Sequence, residues 1–311
     1  MDVHAKRPPR RPSELPRRAW RDVLRRTWRE LRNDDVTLLA SALTYYAVLT
    51  LFPALLILVS VLGLVGEPVT RPLLDNLGDV APGPARAILT GAITNLQHAR
   101  GSATSSLALA LVAALWSASG YVGGFMKATN VIYGVKEGRP FWMRRPLQIG
   151  VTVLLVLATA GLALAVVLTG PLARGLGELV GLGDSAVTVW SIAKWPLIAL
   201  VLSQIVALLY WVAPNVRQPS YRWISPGSLL AVALWLVASV AFASYVANFG
   251  SFNATYGSLG GVIVFLVWLW IGNATILLGV EVDAELERDR EIEAGHSVDR
   301  EPFLPPRKAP N

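Results

Sequence analysis

Six stretches of this chain are each long and apolar enough to cross a bilayer: Leu38 to Val65, Ser105 to Phe125, Leu147 to Leu168, Val187 to Val212, Pro226 to Val246 and Leu259 to Val282. A hydrocarbon layer of about 30 Å takes about 20 residues of helix at 1.5 Å per residue. Inside it each backbone N–H and C=O must be satisfied within the protein, which restricts spanning segments to helices or closed barrels. Continuous apolar runs of this length select the helix. The chain is 53% hydrophobic and only 16% charged, so the excess apolar surface must face lipid. The first stretch follows an extended basic segment and is too long for a cleaved signal, so it is expected to stay in the mature protein.

Lys and Arg outside these stretches alternate sides. The segments that would lie on one face hold 23 of them, those on the other hold 4, and Lys194 within the fourth stretch completes the 28. Positive residues are retained on the cytoplasmic side, so the split predicts cytoplasmic N and C termini and location in a bacterial inner membrane. An extra or missing span would scramble the alternation. The net charge of +7 points to anionic lipid rather than nucleic acid, because the basic residues flank apolar spans instead of covering a soluble module.

Four regions follow. Residues 1–15 read as a disordered basic tail, and residues 16–35 as a cytoplasmic amphipathic helix with Trp20, Val23, Leu24, Trp28 and Leu31 at helical spacing beside a flank of Arg. Such a helix would lie in the headgroup layer and bind anionic headgroups, or serve as a collar for the first span. Asp34 or Asp35 is placed to cap the next helix. Residues 36–286 make the six-span domain and 287–311 a cytoplasmic tail, expected to be disordered from His296 onward. Between Gly66 and Thr104, short amphipathic helices broken at Pro82 and Pro84 are expected on the outer face.

Polar residues at membrane depth are few, and each has two readings. Lys194, between Trp190 and Trp195, either snorkels to the interface or lines a cavity. Gln204 and Asn273 either hydrogen-bond a neighbouring helix or contact a solute. The acidic run Glu281, Asp283, Glu285, Glu287, Asp289, Glu291 and Glu293 reads as a solvated helix end with Arg288 and Arg290 as local partners; Glu281 lies near enough to the apolar zone to be an ion or proton site. Asn215 and Tyr256 complete the candidate pathway. Trp142, Trp190, Trp211 and Trp223 fall near span ends and read as interface anchors.

Close packing or hinging is expected at Pro53, Gly120 and Gly124, and at Gly257, Gly260 and Gly261, where small residues let backbones approach. No Cys is present and no His falls in a span, which leaves no thiolate chemistry and no intramembrane histidine cluster. HExxH, P-loop and paired intramembrane Asp patterns are absent as well, so neither enzyme activity, cofactor nor metal is expected.

Four motifs in order carry a family resemblance: Ala42 to Pro53 (ALTYYAVLTLFP), Ala128 to Pro140 (ATNVIYGVKEGRP), Ala213 to Val216 (APNV) followed by Pro226 and Gly227, and Tyr256 to Leu286, which opens YGSLGG and closes LLGVEVDAEL. With these, residues 20–286 resemble the YihY/BrkB family of six-span bacterial inner-membrane proteins, once misassigned as ribonuclease BN. The resemblance implies location and topology, and suggests an envelope or transport role. The sequence reading is thus an all-α polytopic transmembrane bundle that moves an amphiphilic or small solute, or a non-catalytic scaffold for envelope assembly, with self-association left open.

Overall fold

The computed structural model describes residues 17–65, 104–179, 183–218, 225–248, 258–297 and 302–309. Within them lie seven helices: α1 (Arg17–Asn33), α2 (Val36–Val65), α3 (Thr104–Ile132), α4 (Phe141–Leu179), α5 (Gly183–Val212), α6 (Pro226–Asn248) and α7 (Ser258–Glu293). Each apolar stretch of the sequence falls in one of α2 to α7. Among the described residues four helical segments are long and apolar enough to cross a membrane: Phe141–Leu162, Ile192–Val212, Pro226–Val246 and Gly260–Glu293. Only 11% to 28% of their most apolar windows is buried, so most of that surface faces outward. Leu157, Ile192, Val237, Val240 and Val262 are among the exposed side chains. Such a surface suits hydrocarbon and would drive aggregation in water. This is a polytopic helical membrane protein.

Local chemistry sets the helix ends. The chain turns at Asp34 and Asp35, with Asp35 in the left-handed region at φ 48°, a conformation that Asp tolerates better than most residues. The Asp35 carbonyl then accepts from Leu39 N–H at 3.1 Å, starting α2 at the aspartate pair named by the sequence. After α3, Gly134 (φ 61°) donates to Val131 O and Val135 to Asn130 O, both at 2.9 Å, the double bond of a Schellman stop. Pro226 opens α6 behind Ser225, whose Oγ accepts from Ser228 N–H while Ser228 Oγ accepts from Ser225 N–H.

Contacts divide the chain into two units, Met1–Ala47 with Gly123–Arg144 and Val201–Asn311, and Val48–Val122 with Arg145–Leu200. In the first, α7 is the central mast. It packs along α6, where a Cβ on Gly279 would overlap the Tyr210 hydroxyl, Gly227 O and the Ala231 methyl, so the two backbones meet only because both positions are glycine. Asn273 donates to Thr44 Oγ1 of α2 at 3.1 Å. Trp268 stacks obliquely on Trp235 of α6 and donates to Ser239 Oγ. In the second unit, the Arg145 guanidinium lies 3.8 Å over the Trp116 ring and donates to the Trp116 carbonyl.

Three expectations need correction. The apolar positions of residues 16–35 do not all face a headgroup layer: α1 docks on α7, with Val23 fully buried against Val282 and Leu286, and Trp20 packed on the same cluster. Its other face, with Leu24 and Trp28, stays exposed. The acidic run is not a solvated end, since Glu281, Glu285, Asp289 and Arg290 are buried and Arg26 of α1 bonds Glu285 at 2.7 Å and Asp289 at 2.5 Å. Burial works against the Arg26 charge, but its bonds to Asp289 and Glu285 outweigh it and hold the guanidinium more firmly protonated than usual. The C-terminal tail is not wholly disordered either. Residues 302–309 form a strap, bridged at Pro306 to Val216, with Phe303 buried on the Tyr133 ring at 5.7 Å.

Candidate functional site: a polar cleft beside the C-terminal strap

Arg139 and Arg307 meet at the end of α5. A helix leaves its last carbonyls unpaired and negative, and cations there complete it. Arg307 donates to Trp211 O at 2.6 Å and to Val216 O at 2.8 Å; Arg139 donates to Ala213 O at 2.8 Å. Arg139 also clamps Glu137 through two parallel bonds of 2.7 and 2.8 Å. Burial pushes the Glu137 carboxyl up, but the bonds and charge of Arg139 prevail and hold it below the usual carboxylate range. Burial and the like charge of Arg139 lower the pKa of Arg307.

Asn215 is the knot of this network, with no exposed surface. Its N–H donates to Asn130 Oδ1 at 2.7 Å, its side-chain amide to Lys136 O and Lys308 O, and its Oδ1 and backbone O accept from Lys308 N–H and Arg307 N–H. Asn130 in turn donates to Glu137 Oε2 at 3.1 Å. Asn215 is therefore a tie between three segments. A Cβ on Gly138 would overlap the carbonyl oxygens of Lys308 and Ala309, so the strap also depends on that glycine.

Against this frame sits a cleft of about 40 Å³, room for roughly three waters. Its walls are Tyr133, Ala207, Tyr210, Trp211, Gln218, Ser225, Asp283, Leu286 and Glu287. The walls are held from behind: Tyr210 donates to Ile276 O of α7 at 2.5 Å, Gln218 donates to Tyr210 O at 3.0 Å, and Asp283 accepts from Gly227 N–H at 2.8 Å. Burial pushes the Tyr133 phenol well above its usual range, and the charges of Asp283, Glu287 and Glu281 push the same way. Its hydroxyl stays neutral in a negative field. That field suits a cationic or hydrogen-donating group.

The remaining sequence candidates scatter. Lys194 is half-exposed on α5, with its ammonium 5.4 Å from the Trp195 ring centre, and Gln204 is half-buried on the same helix. Asn273 bonds α2, as its interhelical reading expects. Glu281 is buried at the α1–α2 turn. Gly124 packs tightly, where a Cβ would come within 2.7 Å of the Tyr46 ring; at Gly120 the nearest neighbour, the Thr50 methyl, would be 3.9 Å away. Gly260 is buried, but Gly261 has nothing within 4 Å of an added Cβ, which corrects the expectation of close packing there. Pro53 lies inside α2, which continues through it as helix. Tyr256, Gly257, Pro82 and Pro84 lie outside the described residues.

The cleft residues Tyr133, Tyr210 and Trp211 were not singled out for chemistry by the sequence, and Trp211 is a cleft wall beneath Arg307 rather than only an interface anchor. The signal was present in the motifs. Asn130, Glu137 and Arg139 come from ATNVIYGVKEGRP, Asn215 from APNV, and Gly279 and Asp283 from LLGVEVDAEL, so segments far apart in sequence converge at one end of the first unit.

The profile of the Virulence factor BrkB family matches residues 27–302. The chain is 30% identical over 253 residues to the putative ribonuclease-like protein YfkH of Bacillus subtilis, covering 81% of this chain and 90% of that one. It is 29% identical to a UPF0761 membrane protein of Chromohalobacter salexigens, covering 91% and 68%, and 29% identical to one of Alkalilimnicola ehrlichii, covering 80% and 55%. The chain thus spans little more than half the length of some of these relatives. No solved structure matches it. With the profile running through every wall of the cleft, this chain belongs to the Virulence factor BrkB family of membrane proteins.

Proposed function

We propose that this chain is a six-span protein of the bacterial inner membrane, with both termini in the cytoplasm, that moves an amphiphilic or small solute of the cell envelope. The observation that carries this reading is the cleft: a small, negatively biased cavity with Tyr, Gln, Ser and carboxylate walls, at the end of helices whose outer surfaces are apolar. A single ammonium group fits that chemistry and that volume. The exposed face of α1, with Arg21, Arg25, Leu24 and Trp28, supports a contact with anionic headgroups nearby. The name of the Bacillus relative mentions ribonuclease, but this chain carries no nuclease motif in its sequence, and we read it as non-enzymatic.

A second reading, a non-catalytic envelope scaffold, is favoured by Asn215, Arg139 and Asn273, whose polar groups are spent on internal ties. Reconstituting the full chain with fluorescent phosphatidylethanolamine and quenching the outer leaflet discriminates the two. Transport predicts accelerated loss of inner-leaflet signal and slower loss with Asp283→Asn, which keeps the acceptor for Gly227 N–H but removes the charge. A rate equal to protein-free vesicles supports the scaffold. Topology is read separately: an impermeant thiol reagent on spheroplasts should label Ser102→Cys and leave Ser297→Cys untouched until lysis.

A further inference from the structure

The turn between α1 and α2 brings one carboxyl against another. Glu281 on α7 is 1% exposed, and its Oε1 has no hydrogen-bond partner. Its carboxyl lies within hydrogen-bonding reach of that of Asp34 in the turn. An ionised carboxylate only accepts hydrogen bonds, so a bond between two carboxyl groups requires a proton on one of them.

The surroundings favour that proton. Facing Glu281 are two further acids, Glu30 of α1 and Glu285 one turn along α7. The nearby cations are engaged elsewhere: Arg26 holds Glu285 and Asp289, and Arg288 lies 3.4 Å from Glu285 and 3.9 Å from Glu30. Tyr133, on the side toward the cleft, is a neutral phenol. With the pair fully ionised, four carboxylates would gather around a buried spot where Arg26 and Arg288 are bonded to Glu285, Asp289 and Glu30, a costly arrangement in a poorly solvated site.

We infer that Asp34 and Glu281 form a one-proton site that fastens α1 and its turn to α7 while the proton is bound and loosens them when it leaves. The ligand is the proton itself, and the site is distinct from the cleft and does not depend on any solute being moved. When the proton departs to solvent, the Asp34–Glu281 bond is lost and both groups become like-charged acceptors. Val23, Trp20, Arg26 and the Arg288–Glu30 pair then carry the docking without it.

Infrared titration of the full chain in nanodiscs, in sodium-free buffer, tests this directly. A protonated-carboxyl carbonyl band should be present at neutral pH, vanish on alkaline titration, and be missing from Glu281→Gln, whose amide mimics the protonated acid and keeps the fold. Glu293→Gln, at the exposed end of α7, should retain the band. Spin labels at Arg25→Cys and Glu293→Cys should show a distance distribution that broadens over the same pH range, and one that stays narrow when Glu281→Gln is added. Absence of the band at neutral pH, or its survival in Glu281→Gln, overturns the site. Loss of the band on adding sodium at constant pH reassigns it to a metal cation. A pH-independent distance alongside a titrating band overturns the fastening role.

Discussion

The two halves of α7 invert each other. From Gly260 to Leu277 the helix is apolar, and Val262, Ile263, Leu266 and Val267 are exposed. From Glu281 to Arg290 it is charged, and Glu281, Glu285, Asp289 and Arg290 are buried. In water the pattern would be backwards. It is consistent once the first half faces lipid, where apolar side chains need no protein cover, and the second half carries charges that find partners on α1 and within α7. The difference teaches that burial by itself does not locate the core of a membrane protein: the ion-paired end is the most protein-enclosed part of this helix, and its apolar part is the most open.

Breaking the charged half should cost most. Arg26→Ala leaves Glu285 and Asp289 buried with a guanidinium removed, and losing one partner of a buried pair costs about 3 kcal/mol or more, less here to the extent that Arg26 is part-exposed and Arg288 also reaches Glu285. The expected result is a several-degree fall in the midpoint of thermal unfolding in detergent, with α1 becoming accessible to protease. An unchanged midpoint would mean that the ion pairs are ornamental.

The glycine crossing sharpens the comparison, because it lies between the halves. Gly279→Ala places a methyl against Tyr210, Gly227 O and Ala231, and overpacking of this kind costs about 1–3 kcal/mol. Gly261→Ala, with open space around it, should leave the midpoint unchanged or raise it slightly. Equal effects of the two would remove the α6–α7 contact from the account.

The smallest effect is a pH dependence at Glu137. Its carboxyl is held below the usual range in the folded protein, so its contribution is fully present above the unfolded glutamate range and is lost as pH falls through the folded value. Acid should therefore destabilise wild type slightly more than Glu137→Gln. The opposite order would contradict the Arg139 clamp.

Much of the fold was legible in the sequence. Apolar runs of spanning length define α2 to α7, and Pro226 and the Asp34–Asp35 pair mark helix limits because their backbone preferences act locally. What escaped depends on contacts between distant segments. Charge periodicity at Glu281 to Glu293 looks the same whether the helix end meets water or α1, and only the partner Arg26, more than 250 residues away, decides it. The strap was missed for the same reason: a Pro-rich and Arg-bearing tail resembles a disordered one until Asn215 and the end of α5 are placed beside it. Trp211 reads as an ordinary span-end aromatic, Tyr133 stands out only as part of a motif, and a cavity has no signature along the chain.

The inversion along α7 is tested most directly by thiol accessibility, since the chain has no native cysteine. In membranes made leaky to an aqueous maleimide, the Ala284→Cys thiol should react slowly until the protein is denatured, because Ala284 is only 1% exposed. Glu293→Cys, beyond the docked segment, should react at once. Val267→Cys should be shielded from the aqueous reagent by lipid and become reactive in mild detergent with the fold intact. Labelling of Ala284→Cys in the native membrane as fast as Glu293→Cys would show a solvated helix end, and would contradict the account.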